Sequence, residues 1–161
     1  MSKCVIDRQS DCRLFSCPRY WYHISCTLKQ NNVKLFPRVE GFNRDEREPS
    51  IKRICVAPSI EQCITAVPYF LGDHFEIYKT KHKVVATKPQ GVFDSNITKE
   101  GWLLKPTEFI KLGSINFEEV EKGINVENVI SPAASGNHAP YSGKVLKWWK
   151  KARIKRFIKS A

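Results

Sequence analysis

The chain has 161 residues, 42% of them hydrophobic and 27% charged, which excludes a disordered chain and fits one folded domain that needs no metal or disulfide staple. Its formal net charge is +11, yet residues 144–161 hold eight Lys/Arg and no acid, leaving the other 143 residues at +3. Basicity is largely a property of the C-terminal segment, so the polyanion partner that +11 would ordinarily suggest does not follow for the rest of the chain.

The first 19 residues are polar, cysteine-rich and without a clear period, so they read as a coil or short helix preceding the domain. Tyr20 to Thr27 is the first strand, rich in aromatic and β-branched residues. Within it, His23 and Ser25 share one strand face and Tyr22 and Ile24 share the other. That places a polar pair on one side, either as a ligand contact or as a satisfied core histidine with its neighbour. Lys29 to Ser50 is a long charged loop with a short strand at Val33–Phe36, and a loop of that length is often functional. Ile51 to Ala57 is a strand running into a helix whose N-cap is Ser59, with Glu61 near the positive end of the helix dipole. Pro68 and Gly72 stop it.

Phe75–Tyr78 and Val84–Thr87 predict short strands on either side of the charged turn Lys79–Lys83, and Phe93 to Glu100 a polar loop leading into Trp102-Leu103-Leu104. Thr107–Leu112 and Ser114–Phe117 read as a strand pair around Gly113, and the domain is expected to end there. Residues 118–141, rich in Asn, Gly, Ser and Pro, read as a linker, and residues 142–161 as a basic amphipathic helix. The fold class expected from this order is α+β, with a split, mostly antiparallel sheet core, short helices and that C-terminal helix.

Cys4, Cys12, Cys17, Cys26, Cys55 and Cys63 form no Cys-x-x-Cys pair, and the N-terminus lacks the apolar core of a signal peptide, so a cytoplasmic protein with reduced thiols is expected. Cys4, Cys12, Cys17 and Cys26 are separated by seven, four and eight residues, spacings that match no common zinc finger or ribbon, and no metal is expected. Cys55 and Cys63 read as small core hydrophobes. The longest uncharged apolar run, Cys63 to Leu71, contains Pro68 and is well short of the roughly 20 residues a membrane-spanning helix needs.

The order of a Tyr-His strand, a charged loop, the strand-to-helix segment Pro58-Ser59-Ile60-Glu61-Gln62-Cys63-Ile64 and the stretch Asp94 to Trp102 before a closing strand pair resembles the ADP-ribosyltransferase fold, especially its small bacterial and phage members of the rifamycin ADP-ribosyltransferase type. The resemblance covers roughly residues 20–117. It implies two small sheets with NAD, as substrate or ligand, in the cleft between them. It implies further that His23, supported by Ser25, orients the nucleotide, that the Ser59 segment packs near the nicotinamide, and that Glu100 or Asp94 stabilises the oxocarbenium character of the ribose as the nicotinamide bond breaks. Arg38 would grip the pyrophosphate through its guanidinium fork. One departure is plain: family members commonly carry a stacking tyrosine on the second strand, and Arg53-Ile54-Cys55-Val56 offers none. Outside the resemblance, Glu100 also reads as a solvated loop acid, Asp94 as a turn cap, Arg38 as a surface arginine and Trp102 as a core residue.

In the C-terminal segment, Val145, Trp148, Trp149, Ala152 and Phe157 form an apolar stripe that Leu146, Ile154 and Ile158 widen. Lys147, Lys150, Lys151, Arg153, Lys155 and Arg156 occupy the rest. Three readings follow: docking on its own domain with a basic face in solvent, contact with nucleic acid or an acidic protein, or an interfacial membrane helix. The leading function is thus binding of NAD or a related nucleotide with ADP-ribose transfer to an acceptor. The alternative is a non-catalytic binding protein, such as a phage-encoded inhibitor of a host nucleic-acid or nucleotide-signalling defence, acting through Trp148, Trp149 and the surrounding cations.

Overall fold

A computed structural model describes residues 14–39, 49–66, 74–91, 95–116, 118–119, 147, 149–151 and 153–161. The chain has the expected α+β class, with short helices and antiparallel sheets. Strands β1 (Tyr22–Ser25), β2 (Asn32–Leu35), β4 (His74–Thr80) and β6 (Thr107–Asn116) form one sheet in the order β1-β4-β6-β2, with β7 (Lys159–Ser160) added to β6. Strands β3 (Ile54–Val56) and β5 (Gly101–Leu103) pair as a second sheet. Isolated backbone bridges Tyr22–Ala57 and Arg38–Arg53 tie the β3 segment to β1 and to the chain just beyond β2, the two outer strands of the large sheet.

Each face of the large sheet buries its own core, as alternation along the strands requires. Tyr78 and Phe109 point toward β3 and β5, where Trp21, Ile54, Val56, Ala86 and Leu103 complete a core. Phe75, Ile77 and Ile115 point the other way and are covered by helix α1 (Ile60–Thr65) and the C-terminal segment through Ile60, Ile64 and Ile154. Gly101 allows β5 to lie against Trp21 and Ala86, since a Cβ there would stand 2.8 Å from the Ala86 Cβ.

Ser59 caps α1 as the sequence indicates, its hydroxyl accepting a bond from the Gln62 N–H at 3.2 Å. Three local expectations are corrected. Ser95–Thr98, read as polar loop, is a single helical turn, α2, tied to α1 by the Gln62 side-chain amide donating to the Ile97 carbonyl at 3.2 Å. Val84–Thr87 contributes two isolated bridges, to Arg19 and Trp102, rather than a strand. Residues 107–116 form one continuous strand rather than a pair around Gly113, with β2 paired to its first half and β7 to its second.

The C-terminal helix is corrected in extent. Residues 147 and 149–151 are helical, but Arg153 has φ 53°, a left-handed conformation that ends the helix. A 3₁₀ turn at Ile154–Phe157 follows, then β7. The segment is therefore part of the domain, since it both covers the core with Ile154 and extends the large sheet. Residues 120–146 lie outside the described residues, and with them nearly all of the expected linker.

Candidate functional site

His23 lies between the two sheets. Its Nδ1 donates to the Cys55 carbonyl at 2.9 Å, and its ring meets Phe109 at 5.8 Å between centroids with a 54° tilt. That is the satisfied-core geometry: one ring nitrogen is fixed by β3 and one ring face by β6. Replacing His23 with Ala is expected to cost about 2 kcal/mol through the lost bond and the space beside Phe109. Urea unfolding measures this, and a variant as stable as the parent would contradict the structural role.

Ser25 shares the face of His23 but turns to the backbone, its hydroxyl accepting bonds from the N–H groups of Thr27 and Leu28 at 3.2 Å each. It closes the turn after β1. Arg38 is exposed, and its backbone exchanges two hydrogen bonds with that of Arg53 at 3.0 and 2.9 Å. The Ser59 hydroxyl is occupied at the N-cap of α1, where it also donates to the Gln62 side-chain oxygen at 2.9 Å.

Glu100 accepts a 2.8 Å bond from the Trp102 indole N–H. Trp102 in turn carries the guanidinium of Arg53 over its ring at 4.3 Å, and Arg53 Nη1 donates to the carbonyls of Pro49 and Ile51 at 3.2 and 3.3 Å. Arg53 and Trp102 are buried. In the sequence Arg53 stands out only as the lone arginine inside an apolar strand, and that is the signal that points to its buried role. Glu100 also acts on Cys63: burial, with the Glu100 charge added, pushes that thiol up to about 12. Thiol labelling near pH 8 is therefore expected to modify exposed Cys17 quickly and Cys63 only after unfolding. Fast labelling of Cys63 in the native protein would contradict its burial.

The described residues thus bring Glu100, Ser59 and Cys63 near α1, place His23 between the sheets and leave Arg38 on the surface. Asp94 lies outside the described residues, as do Cys4 and Cys12. Among the described residues no three His, Cys, Asp or Glu side chains gather as metal ligands, and no helix is long and apolar enough to cross a membrane.

A charged cluster that sequence reasoning missed surrounds Glu76, which is 4% exposed. Lys111 Nζ is 2.8 Å from its carboxylate, His74 Nε2 3.2 Å and Lys29 Nζ 3.8 Å. Burial alone would raise this carboxyl, but hydrogen bonds from Lys111 and His74, together with their charges, outweigh it and hold the pKa below the ordinary 4.5. A depressed folded pKa stabilises the protein above the unfolded value, and that contribution disappears as pH falls through the folded value. Urea midpoints should accordingly fall on acidification below about pH 4.5. Glu76→Gln should cost about 2 kcal/mol at neutral pH and flatten that acid dependence, because Lys111 loses its buried partner. An unchanged acid profile in the variant would contradict the assignment.

The C-terminal segment presents the largest concentration of charge. Ile154 is fully buried, and Trp149, Phe157 and Ile158 pack beside it on the core. Lys155 reaches Glu61 at 3.5 Å and Lys159 reaches Glu119 at 2.7 Å. Lys147, Lys150, Lys151, Arg153 and Arg156 are exposed. Arg156 lies over the Phe157 ring at 4.7 Å. Trp148 lies outside the described residues. Among the described residues of the segment, Trp149, Ile154, Phe157 and Ile158 pack on the domain's own core, while the five cations Lys147, Lys150, Lys151, Arg153 and Arg156 face water. The chain matches no known family model, no curated protein and no solved structure.

Proposed function

We propose that the protein is a non-catalytic binding module for nucleic acid, whose phosphates it contacts through the exposed cations of its C-terminal segment. One observation carries this reading: Trp149, Phe157 and Ile158 are docked on the core around Ile154, so Lys147, Lys150, Lys151, Arg153 and Arg156 are displayed by a folded support. Docking also separates this reading from an interfacial membrane helix, because Trp149, Phe157 and Ile158, which would enter the lipid, are already in contact with protein. Cations held on an ordered surface lose less conformational freedom on meeting phosphates than cations on a free chain.

Binding of NAD and transfer of ADP-ribose call for His23, Ser25, Arg38, Ser59 and Glu100 to converge on one ligand. Four of the five instead have assigned structural partners: the Cys55 carbonyl for His23, the turn N–H groups for Ser25, the α1 cap for Ser59 and the Trp102 indole for Glu100. Titration of the intact protein with a labelled oligonucleotide at low salt, beside a calorimetric titration with NAD, separates the two functions. Oligonucleotide binding without heat from NAD supports the proposal. NAD binding accompanied by nicotinamide release would overturn it in favour of the transferase.

A further inference from the structure

The described residues cover only half of the large-sheet face that carries the C-terminal segment. Direct partners across four strands form the row Tyr22, Lys79, Ile110, Asn32, and side chains opposite one another in this way share a face. Tyr22 belongs to the covered core. From Lys79 onward the same face emerges into solvent: Asn32, Lys34, Glu108 and Lys81 are exposed, with the Lys81 N–H bonded to the Glu108 carbonyl at 2.9 Å.

Two aromatic rings stand on this uncovered half. Tyr20 is 40% exposed, with Lys79 Nζ 4.6 Å and Lys83 Nζ 5.8 Å from its ring centre. Phe36 is 64% exposed, with Lys34 Nζ 5.9 Å from its ring. Between them a surface depression of about 120 Å³ is lined by Asn32, Lys34, Lys81 and Glu108 among others. It is too small to enclose a nucleotide, and it suits a ligand that lies across the surface instead. Against the four lysines the described residues set one acid, Glu108, which Lys81 meets at 3.7 Å.

We infer that this half-sheet is a binding surface for single-stranded nucleic acid, with bases stacked on Phe36 and Tyr20 and the backbone held by Lys34, Lys79, Lys81 and Lys83. The chemistry selects the ligand. A duplex hides its base faces, whereas an unpaired strand offers both an anionic backbone and flat rings to an aromatic platform flanked by cations. An acidic peptide would satisfy the lysines and leave Phe36 in water. The inference takes the nucleic-acid class from the function proposed above and adds a second site with its own selectivity, reached from residues outside the C-terminal segment.

Fluorescence anisotropy on the full chain tests it, with a labelled oligothymidylate of about 20 nucleotides and a mixed-sequence duplex of matched length as probes. The single strand should bind more tightly. A Tyr20→Ala, Phe36→Ala double variant should lose roughly tenfold or more in single-strand affinity and leave duplex affinity unchanged. Both rings are exposed, so the variant should keep its fold, which circular dichroism verifies. Equal binding of the two probes, or a folded double variant that binds the single strand as the parent does, would overturn the second site while leaving the C-terminal contact standing. Binding of neither probe would overturn both.

Discussion

Gly113→Val should unfold the C-terminal end of the protein from the sheet and lower stability by about 3 kcal/mol, a cost typical of forcing volume into a closed contact. Gly113 pairs with Ile77 on one side and Ser160 on the other. A Cβ there would run into the Lys159 carbonyl oxygen and stand 2.9 Å from Ile158 Cγ2. The first obstacle is backbone, so no rotamer change relieves it. The only accommodation is for β7 to move, and β7 follows directly on the turn that holds fully buried Ile154 in place. Urea unfolding with tryptophan fluorescence should show the loss, and limited proteolysis should cut the variant near its C-terminal lysines first. A variant of parental stability would mean that β7 is not seated on β6.

The same residue shows where sequence reasoning reaches its limit. A glycine between two apolar runs signals a turn, and the strand was expected to break there. Its actual task is to admit the backbone at Lys159, 46 positions further along the chain. The local signals that succeeded were short-range ones: alternation in Tyr22–Ser25, the Ser59 cap, and the apolar stretch of β4. Ser95-Asn96-Ile97-Thr98 reads as loop because Ser, Asn and Thr compete with the helix backbone for hydrogen bonds. The contact from Gln62 that holds the turn is long-range. The helical period of the C-terminal segment was legible through Lys151, but nothing local announces the left-handed Arg153.

For the candidate sites the limit is similar. Alternation correctly gave His23 and Ser25 a common face but could not tell that the face is roofed by β3, whose Cys55 carbonyl lies 32 positions away. Tyr20 and the Lys79–Lys83 turn were each visible, one as a strand residue and one as a charged turn. Only the antiparallel register of β1 on β4 brings them together. Conversely, the concentration of cations after residue 143 needed no fold to be seen.

The second large effect belongs to those cations. Exchanging Lys147, Lys150, Lys151, Arg153 and Arg156 for Gln should lower affinity for single-stranded nucleic acid on the order of a hundredfold at low salt, because each released counterion contributes to binding. Their side chains are exposed, and the fold should be retained. Removing Ile154 instead would confound the result, since it would unseat the segment that carries them.

The most direct measurement is the salt dependence of oligonucleotide binding in the parent and in this five-fold variant, between about 50 and about 200 mM salt. At roughly 0.7 per phosphate contact, the slope of log affinity against log salt should become shallower by about 3 to 4 in the variant. Parent and variant with the same slope, or a parent whose binding ignores salt, would contradict a nucleic-acid contact through the C-terminal cations.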